Sequence, residues 1–212
     1  VLSLEIITFS GYGLGSNTYL AVNEDDKEAV LIDAGVSASE VLDSLEKNDI
    51  ELKAVLLTHG HPDHLLSLKD IVDATGAPCY MHETDVAIAK LIPPAFLQMM
   101  GLDKLELPDD FLSLEDGQEL ELAGMKFKVL YTPGHSEGSV CFLTDGVLFA
   151  GDLVFRGSIG RTDFPGGSLE TLLNSVKEKV FTLPSDTRIL PGHMDATVVG
   201  WEKKTNPFLT GI

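Results

Sequence analysis

At 212 residues the chain is long enough for one sizeable domain to bury a core without disulfide staples. Its 15 Lys and Arg stand against 33 Asp and Glu, and the resulting formal charge of −18 repels phosphate backbones and excludes a nucleic-acid partner. Cys79 and Cys141 form neither a C-x-x-C pair nor a zinc-type cluster, so they read as buried strand residues in a reducing compartment. The N-terminal stretch has no basic flank ahead of a long apolar core, and no later run approaches the length of a membrane span. A cytoplasmic protein without a membrane partner is expected.

In chain order, apolar runs bounded by turn residues predict strands at 3–9, 17–22, 28–33, 52–57, 78–82, 125–131, 139–144, 146–150 and 187–190. Ser37 and Glu40 are spaced as a capping box ahead of Val41, Leu42 and Leu45. A second helix is expected from Leu65 to Ala74, stopping at Gly76, and a third where Leu169, Leu172, Leu173, Val176 and Val180 recur at helical spacing. Strand runs followed by helices in both halves predict an α/β protein with sheets between helices. No low-complexity linker separates the halves, which predicts one domain over residues 1–212.

Several strands end alike. VLLTHGH (55–61) and VLYTPGH (129–135) share V-L-x-T-x-G-H, RILPGH (188–193) again ends in Gly-His, and VLFAGD (147–152) ends in Gly-Asp. Side chains at strand ends of α/β folds commonly face one crevice. Five of the 6 histidines lie in these loops: His59, His61, His64, His135 and His193. His82, in YMHETD, reads as a strand-end or helix-start residue.

A lone histidine is more often a cap or a hydrogen-bonded core residue than a ligand, but an apolar core could not desolvate so many polar groups unpaired. His59 and His61 can wrap one ion, while Asp63 and His64 turn toward a second. Imidazole with carboxylate suits zinc, iron or manganese. Seven candidate ligands exceed the four of a structural zinc and match two ions, with Asp152 as the natural bridge. Asp63 and Asp152 are the candidate catalytic carboxylates. Arg156 and Arg161, after Asp152, and Lys203 and Lys204, after His193, are candidate contacts for an anionic substrate. LIPPAFLQMMGL (91–102) has the composition of a cleft wall or a dimer contact, and nothing in the sequence defines the oligomeric state.

With T-H-G-H-P-D-H (58–64), T-P-G-H (132–135), A-G-D (150–152) and P-G-H (191–193) in that order, the chain resembles the metallo-β-lactamase-fold hydrolases over nearly its full length. The resemblance implies an αββα sandwich with the site at one edge of the two sheets. It places one metal on His59, His61 and His135, another on Asp63, His64 and His193, and Asp152 between them. The segment FRGSIGRTDFPGGS (155–168) is similar to small glyoxalase II-like proteins, the hydroxyacylglutathione hydrolases, and its G-R-T-D-F also resembles persulfide dioxygenases. The implied function is a binuclear metal-dependent thioesterase acting on a small-molecule thioester with two divalent ions, zinc foremost and iron or manganese as alternatives. The main alternative is a mononuclear iron persulfide dioxygenase using His59, His135 and Asp152. A lactonase or a non-enzymatic metal-binding module ranks lower. Members with β-lactamase activity tend to carry a cysteine where Asp152 stands, so that activity is not expected. Two departures stand out: LIDAG (31–35) replaces a Pro-containing turn, and HMDAT (193–197) a small Gly-Pro type sequence.

Overall fold

The computed structural model describes residues 3–11 and 16–212; part of the N-terminal reading falls on 1–2 and 12–15, outside the described residues. Two compact units emerge, one of residues 1–113 with 121–125, the other of 114–120 with 126–212.

In the first unit, β1 (Leu4–Ser10), β2 (Asn17–Asn23) and β3 (Glu28–Ile32) pair antiparallel. The chain then crosses over through α1 (Ala38–Asn48) to β4 (Glu51–Leu56), and through α2 (Leu68–Thr75) to β5 (Cys79–Tyr80), so that β3, β4 and β5 run parallel. Ser37 caps α1 as its spacing predicts: its hydroxyl accepts the Glu40 N–H at 3.4 Å and donates to the Glu40 carboxylate at 2.9 Å. Val41 and Leu45 of α1 and Leu68 and Ile71 of α2 join Leu31, Val55, Leu57 and Cys79 in one buried cluster. Two short helices, α3 (Glu83–Lys90) and α4 (Pro94–Met99), follow. His82 is the N-cap of α3, and its Nδ1 accepts the Thr84 N–H at 3.3 Å, in keeping with a helix-start role.

Two of the boundaries that differ from expectation do so for a common reason. The third strand stops at Ile32 because Asp33 takes a left-handed conformation, φ 60°, which ends an extended backbone. The helix expected from Leu65 begins at Leu68, because Pro62–His64 form a 3-10 turn and the His64 carbonyl accepts the Ala34 N–H at 2.8 Å. Those residues are held by the turn after β3, and α2 starts once they are past.

A six-stranded sheet, nearly all of it in the second unit, has β6 (Glu119–Leu122), β7 (Met125–Tyr131), β8 (Val140–Thr144) and β9 (Val147–Gly151) as successive neighbours; residues 121–122 of β6 and Met125 of β7 count with the first unit. Along β7, Met125, Phe127 and Val129 are buried while Lys126 and Lys128 are exposed, the alternation of a strand with one face on a core. After β9 come a small hairpin, β10 (Val154–Phe155) and β11 (Ser158–Ile159), and then α5 (Leu169–Ser175), which continues into a π-helical turn at Val176–Val180. The sheet closes with β12 (Arg188–Pro191), parallel to β9, and β13 (Thr197–Val198), antiparallel to β12 at the edge. Helix α6 (Val199–Thr205) ends before Asn206, whose extended backbone is what a following proline demands.

No helix among the described residues is long and apolar enough to cross a membrane. Cys79 lies buried in β5 and Cys141 in β8, and burial pushes their thiols up to about 11 and about 12. Neither carries appreciable thiolate at pH 8. Iodoacetamide should therefore label both at least about 100-fold more slowly in the native protein than an ordinary thiol of pKa ~8.5. Mass spectrometry over a labelling time course checks this, and rapid native labelling would contradict it.

Candidate metal centre

In the first unit the parallel strands β3 and β4 pair up to Ile32 and Leu56, so Asp33 and Thr58 emerge at the same end. Asp33, almost fully buried, accepts the Thr58 N–H at 2.8 Å on Oδ1, and the Thr58 hydroxyl and His64 Nδ1, each at 2.8 Å, on Oδ2. The hydroxyl proton of Thr58 is thereby committed to Asp33, so its oxygen faces His59 Nδ1, 3.0 Å away, as an acceptor. Both imidazoles hold their proton at Nδ1, and in the neutral ring this places the lone pair on Nε2. His64 Nε2 lies 3.5 Å from Asp63 Oδ2. The His61 ring stands edge-on to His59 with centroids 4.8 Å apart, and the His64 ring is 4.1 Å from His59.

Gly60 is where this loop has no room: a Cβ there would sit 2.4 Å from the Asp85 carbonyl oxygen, while buried Asp85 accepts the Gly60 N–H at 2.7 Å. The LIDAG departure has a structural reading too. Ala34 supplies the N–H that binds the His64 carbonyl, a bond that proline could not make.

In the second unit, β9 and β12 run parallel and remain in contact to their ends, Gly192 N–H donating to the Gly151 carbonyl at 2.8 Å. Asp152 and His193 therefore leave the sheet side by side. His135 joins them from the turn after β7, where Gly134 (φ 139°) lets the backbone pass Leu172 of α5, whose Cα would be 2.4 Å from a Cβ. His135 Nδ1 is 2.7 Å from the Arg161 carbonyl, which can only accept, so this ring too is an Nδ1–H tautomer with its lone pair on Nε2. Asp152 Oδ2 then stands 3.4 Å from His135 Nε2 and 3.3 Å from His193 Nε2.

These spacings discriminate between two explanations. Charge-assisted N–H···O bonds close to about 2.7–2.9 Å. Two donor atoms on one tetrahedral ion, with bonds of about 2.0–2.1 Å, lie roughly 3.3–3.4 Å apart. The pairs His135–Asp152, His193–Asp152 and His64–Asp63, at 3.4, 3.3 and 3.5 Å, match the second. The donor set and its spacing fit a transition-metal ion.

The candidate substrate contacts have other engagements. Arg161 forks onto Asp163 with two bonds of 2.7 Å and stacks over the Phe164 ring at 3.9 Å. That guanidinium holds the Asp163 carboxyl down to about 2. Arg156 is exposed, 3.9 Å from Asp195, and with Arg188, Thr197 and Trp201 borders an open groove of about 410 Å³. Lys203 Nζ lies 3.4 Å from the Phe181 carbonyl and 5.5 Å from its ring centroid, and Lys204 is exposed on α6. At the HMDAT departure, Met194 occupies φ 68°, a conformation that costs a side-chain-bearing residue about 1–2 kcal/mol.

Sequence reasoning passed over Asp33, Thr58 and Asp85. Asp33 did carry a signal, an acid ending the apolar strand of LIDAG as Asp152 ends VLFAGD.

Comparison with known proteins gives the family. The Metallo-beta-lactamase superfamily family matches residues 11–193, and the chain belongs to it as a metal-dependent hydrolase. Hydroxyacylglutathione hydrolase GloC of Haemophilus influenzae is 38% identical over 191 residues, 88% of this chain and 89% of its own. The solved BLEG-1 B3 metallo-beta-lactamase has a TM-score of 0.89 at 35% identity, covering 98% of this chain and 100% of its own. TTHA1623 in a di-iron-bound form has a TM-score of 0.85 at 36% identity, covering 96% and 100%. The expected α/β class and metallo-β-lactamase fold are thus shown.

The role of Asp33 can be tested through the tautomer it imposes. In Asp33→Asn an amide can present N–H to His64 Nδ1, which moves the ring proton to Nε2 and removes the lone pair there. We predict an Nε2–H His64 in the 15N spectrum and a loss of metal affinity of about 10–100-fold. An unchanged Nδ1–H signal with full affinity would contradict the assignment.

Proposed function

We propose that the chain is a thioesterase of the hydroxyacylglutathione hydrolase type, acting on a small-molecule thioester in the reducing cytoplasm with two divalent transition-metal ions, zinc foremost. By the family resemblance, one ion would be held by His59, His61 and His135, the other by Asp63, His64 and His193, with Asp152 serving both. The observation that carries the reading is the placement of Asp152 Oδ2 3.4 Å from His135 Nε2 and 3.3 Å from His193 Nε2, one carboxylate facing a ligand of each set. When bound, such ions lower the pKa of a shared water toward about 7 and polarise a carbonyl.

The protein's own part is to hold these donors without competing for protons. His59, His64 and His135 keep their protons on Nδ1, tied to Thr58, Asp33 and the Arg161 carbonyl, so their Nε2 atoms act as ligands and not as acids. A thioester is the easier substrate for such a centre, because a thiolate of pKa ~8.5 leaves unassisted, whereas an amide nitrogen needs a proton. The name of the Haemophilus influenzae relative supports this substrate class.

A second reading, an iron persulfide dioxygenase on His59, His135 and Asp152, is favoured by the iron in the TTHA1623 structure and by the G-R-T-D-F segment. The readings part over residues outside that trio. For the thioesterase, elemental analysis should find two ions per chain at saturation, and His64→Ala and His193→Ala should each cut thioester hydrolysis by about 100-fold or more, with or without oxygen. Saturation at one ion, or strict dependence on oxygen with a persulfide substrate, would overturn it. A panel that adds a lactone and a β-lactam places the activity within the superfamily.

A further inference from the structure

Helix α6 carries a glutamate that a surface helix should not bury. Glu202 is fully buried between Trp201 and Lys203, and among the described residues its carboxyl group accepts bonds from neutral donors alone: the Thr197 hydroxyl at 2.5 Å, the Gly157 N–H at 3.0 Å and the Asn206 side-chain amide at 2.9 Å. Asn206, equally buried, donates onward to the Ser158 carbonyl at 2.9 Å. Burying such groups costs free energy unless each finds a partner. Thr197 lies in β13, while Gly157 and, through Asn206, Ser158 tie the pair to one short element, the hairpin of β10 and β11.

That hairpin lies between the metal-ligand loops of its unit. It follows directly on Asp152. Its first arm carries Phe155, whose ring stands edge-on to His193 with centroids 5.7 Å apart. Its second arm runs into Gly160 and Arg161, and the Arg161 carbonyl fixes the His135 tautomer at 2.7 Å. A side chain at Gly160 would collide with the Asp152 carbonyl, 1.8 Å from the added Cβ, so the two arms are tightly fitted.

We propose that Glu202 and Asn206 are positioning residues, a buried clamp that sets His193 through Phe155 and His135 through the Arg161 carbonyl by pinning the 154–159 hairpin. The assignment rests on the metal-centre reading for its purpose, but its geometry can be tested without metal. A two-residue strand pair has little stability of its own, so its position depends on what anchors it. Glu202→Gln preserves the clamp: the amide oxygen takes the Gly157 and Asn206 bonds, and the amide NH2 meets Thr197, whose hydroxyl can turn to accept. Glu202→Leu fills similar space and accepts nothing.

The experiment compares metal-free wild type, Glu202→Leu, Glu202→Gln and Phe155→Ala by 15N spectra of the histidine rings and by amide hydrogen exchange. Glu202→Leu should speed exchange at Gly157 by about tenfold or more and shift both His193 and His135. Glu202→Gln should match wild type, and Phe155→Ala should shift His193 alone. A folded Glu202→Leu with wild-type ring signals and wild-type exchange at Gly157 would overturn the proposal; if that variant does not fold, Asn206→Ala is read by the same two criteria. Zinc competition against a chelator supplies the second readout, a loss of about 10–100-fold in Glu202→Leu restored in Glu202→Gln. If wild type takes up no zinc, the metal-centre reading fails while the ring and exchange data still decide the clamp.

Discussion

A neutral imidazole has one ring proton, and the group that takes it decides which nitrogen presents a lone pair. In this protein the Nδ1–H of His64 donates to Asp33, that of His59 to the Thr58 hydroxyl oxygen and that of His135 to the Arg161 carbonyl. The three Nε2 atoms are left as donors of electron pairs. Everything chemical about the site depends on that arrangement, because a ring with its proton on Nε2 would repel the cation it is placed to bind.

The sheets make the arrangement possible at low cost. Parallel neighbours deliver their C-terminal ends to the same side, so β3 with β4 brings Asp33 to Thr58, and β9 with β12 brings Asp152 to His193. Each unit thus orients its own share of the donors through short bonds anchored in strands whose flanks are buried. Two of the left-handed residues sit at these same ends. Asp33 and Met194 have positive φ, which fits a backbone bent by what its side chains and neighbours must reach.

Much of this was legible in the sequence, for identifiable reasons. The strands around 28–33, 52–57 and 146–150 are continuous apolar runs because both their faces are covered, and a His or Asp ending such a run is conspicuous. The groups that orient the ligands were not. Asp33 reads like any acid opening a turn, and the support of His135 is a backbone carbonyl, which no residue letter reveals. Glu202 beside Lys203 and Lys204 reads as one more solvated charge on a short helix. One of the partners that hold it, the Gly157 N–H, is 45 residues away in sequence. The strand pair β10 and β11 has two residues on each side, too few for a periodicity to register.

The central claim is that Nδ1 anchoring makes Nε2 the metal-binding atom of His59, His64 and His135, and the proposed function adds that Asp152 serves two ions. A crystal structure of the zinc-loaded protein, with anomalous scattering to locate the metal, tests it most directly. The account predicts two zinc peaks, both contacted by Asp152, with His59, His64 and His135 bound through Nε2. A single peak at full loading, or ligation through Nδ1 at any of those three rings, would contradict it.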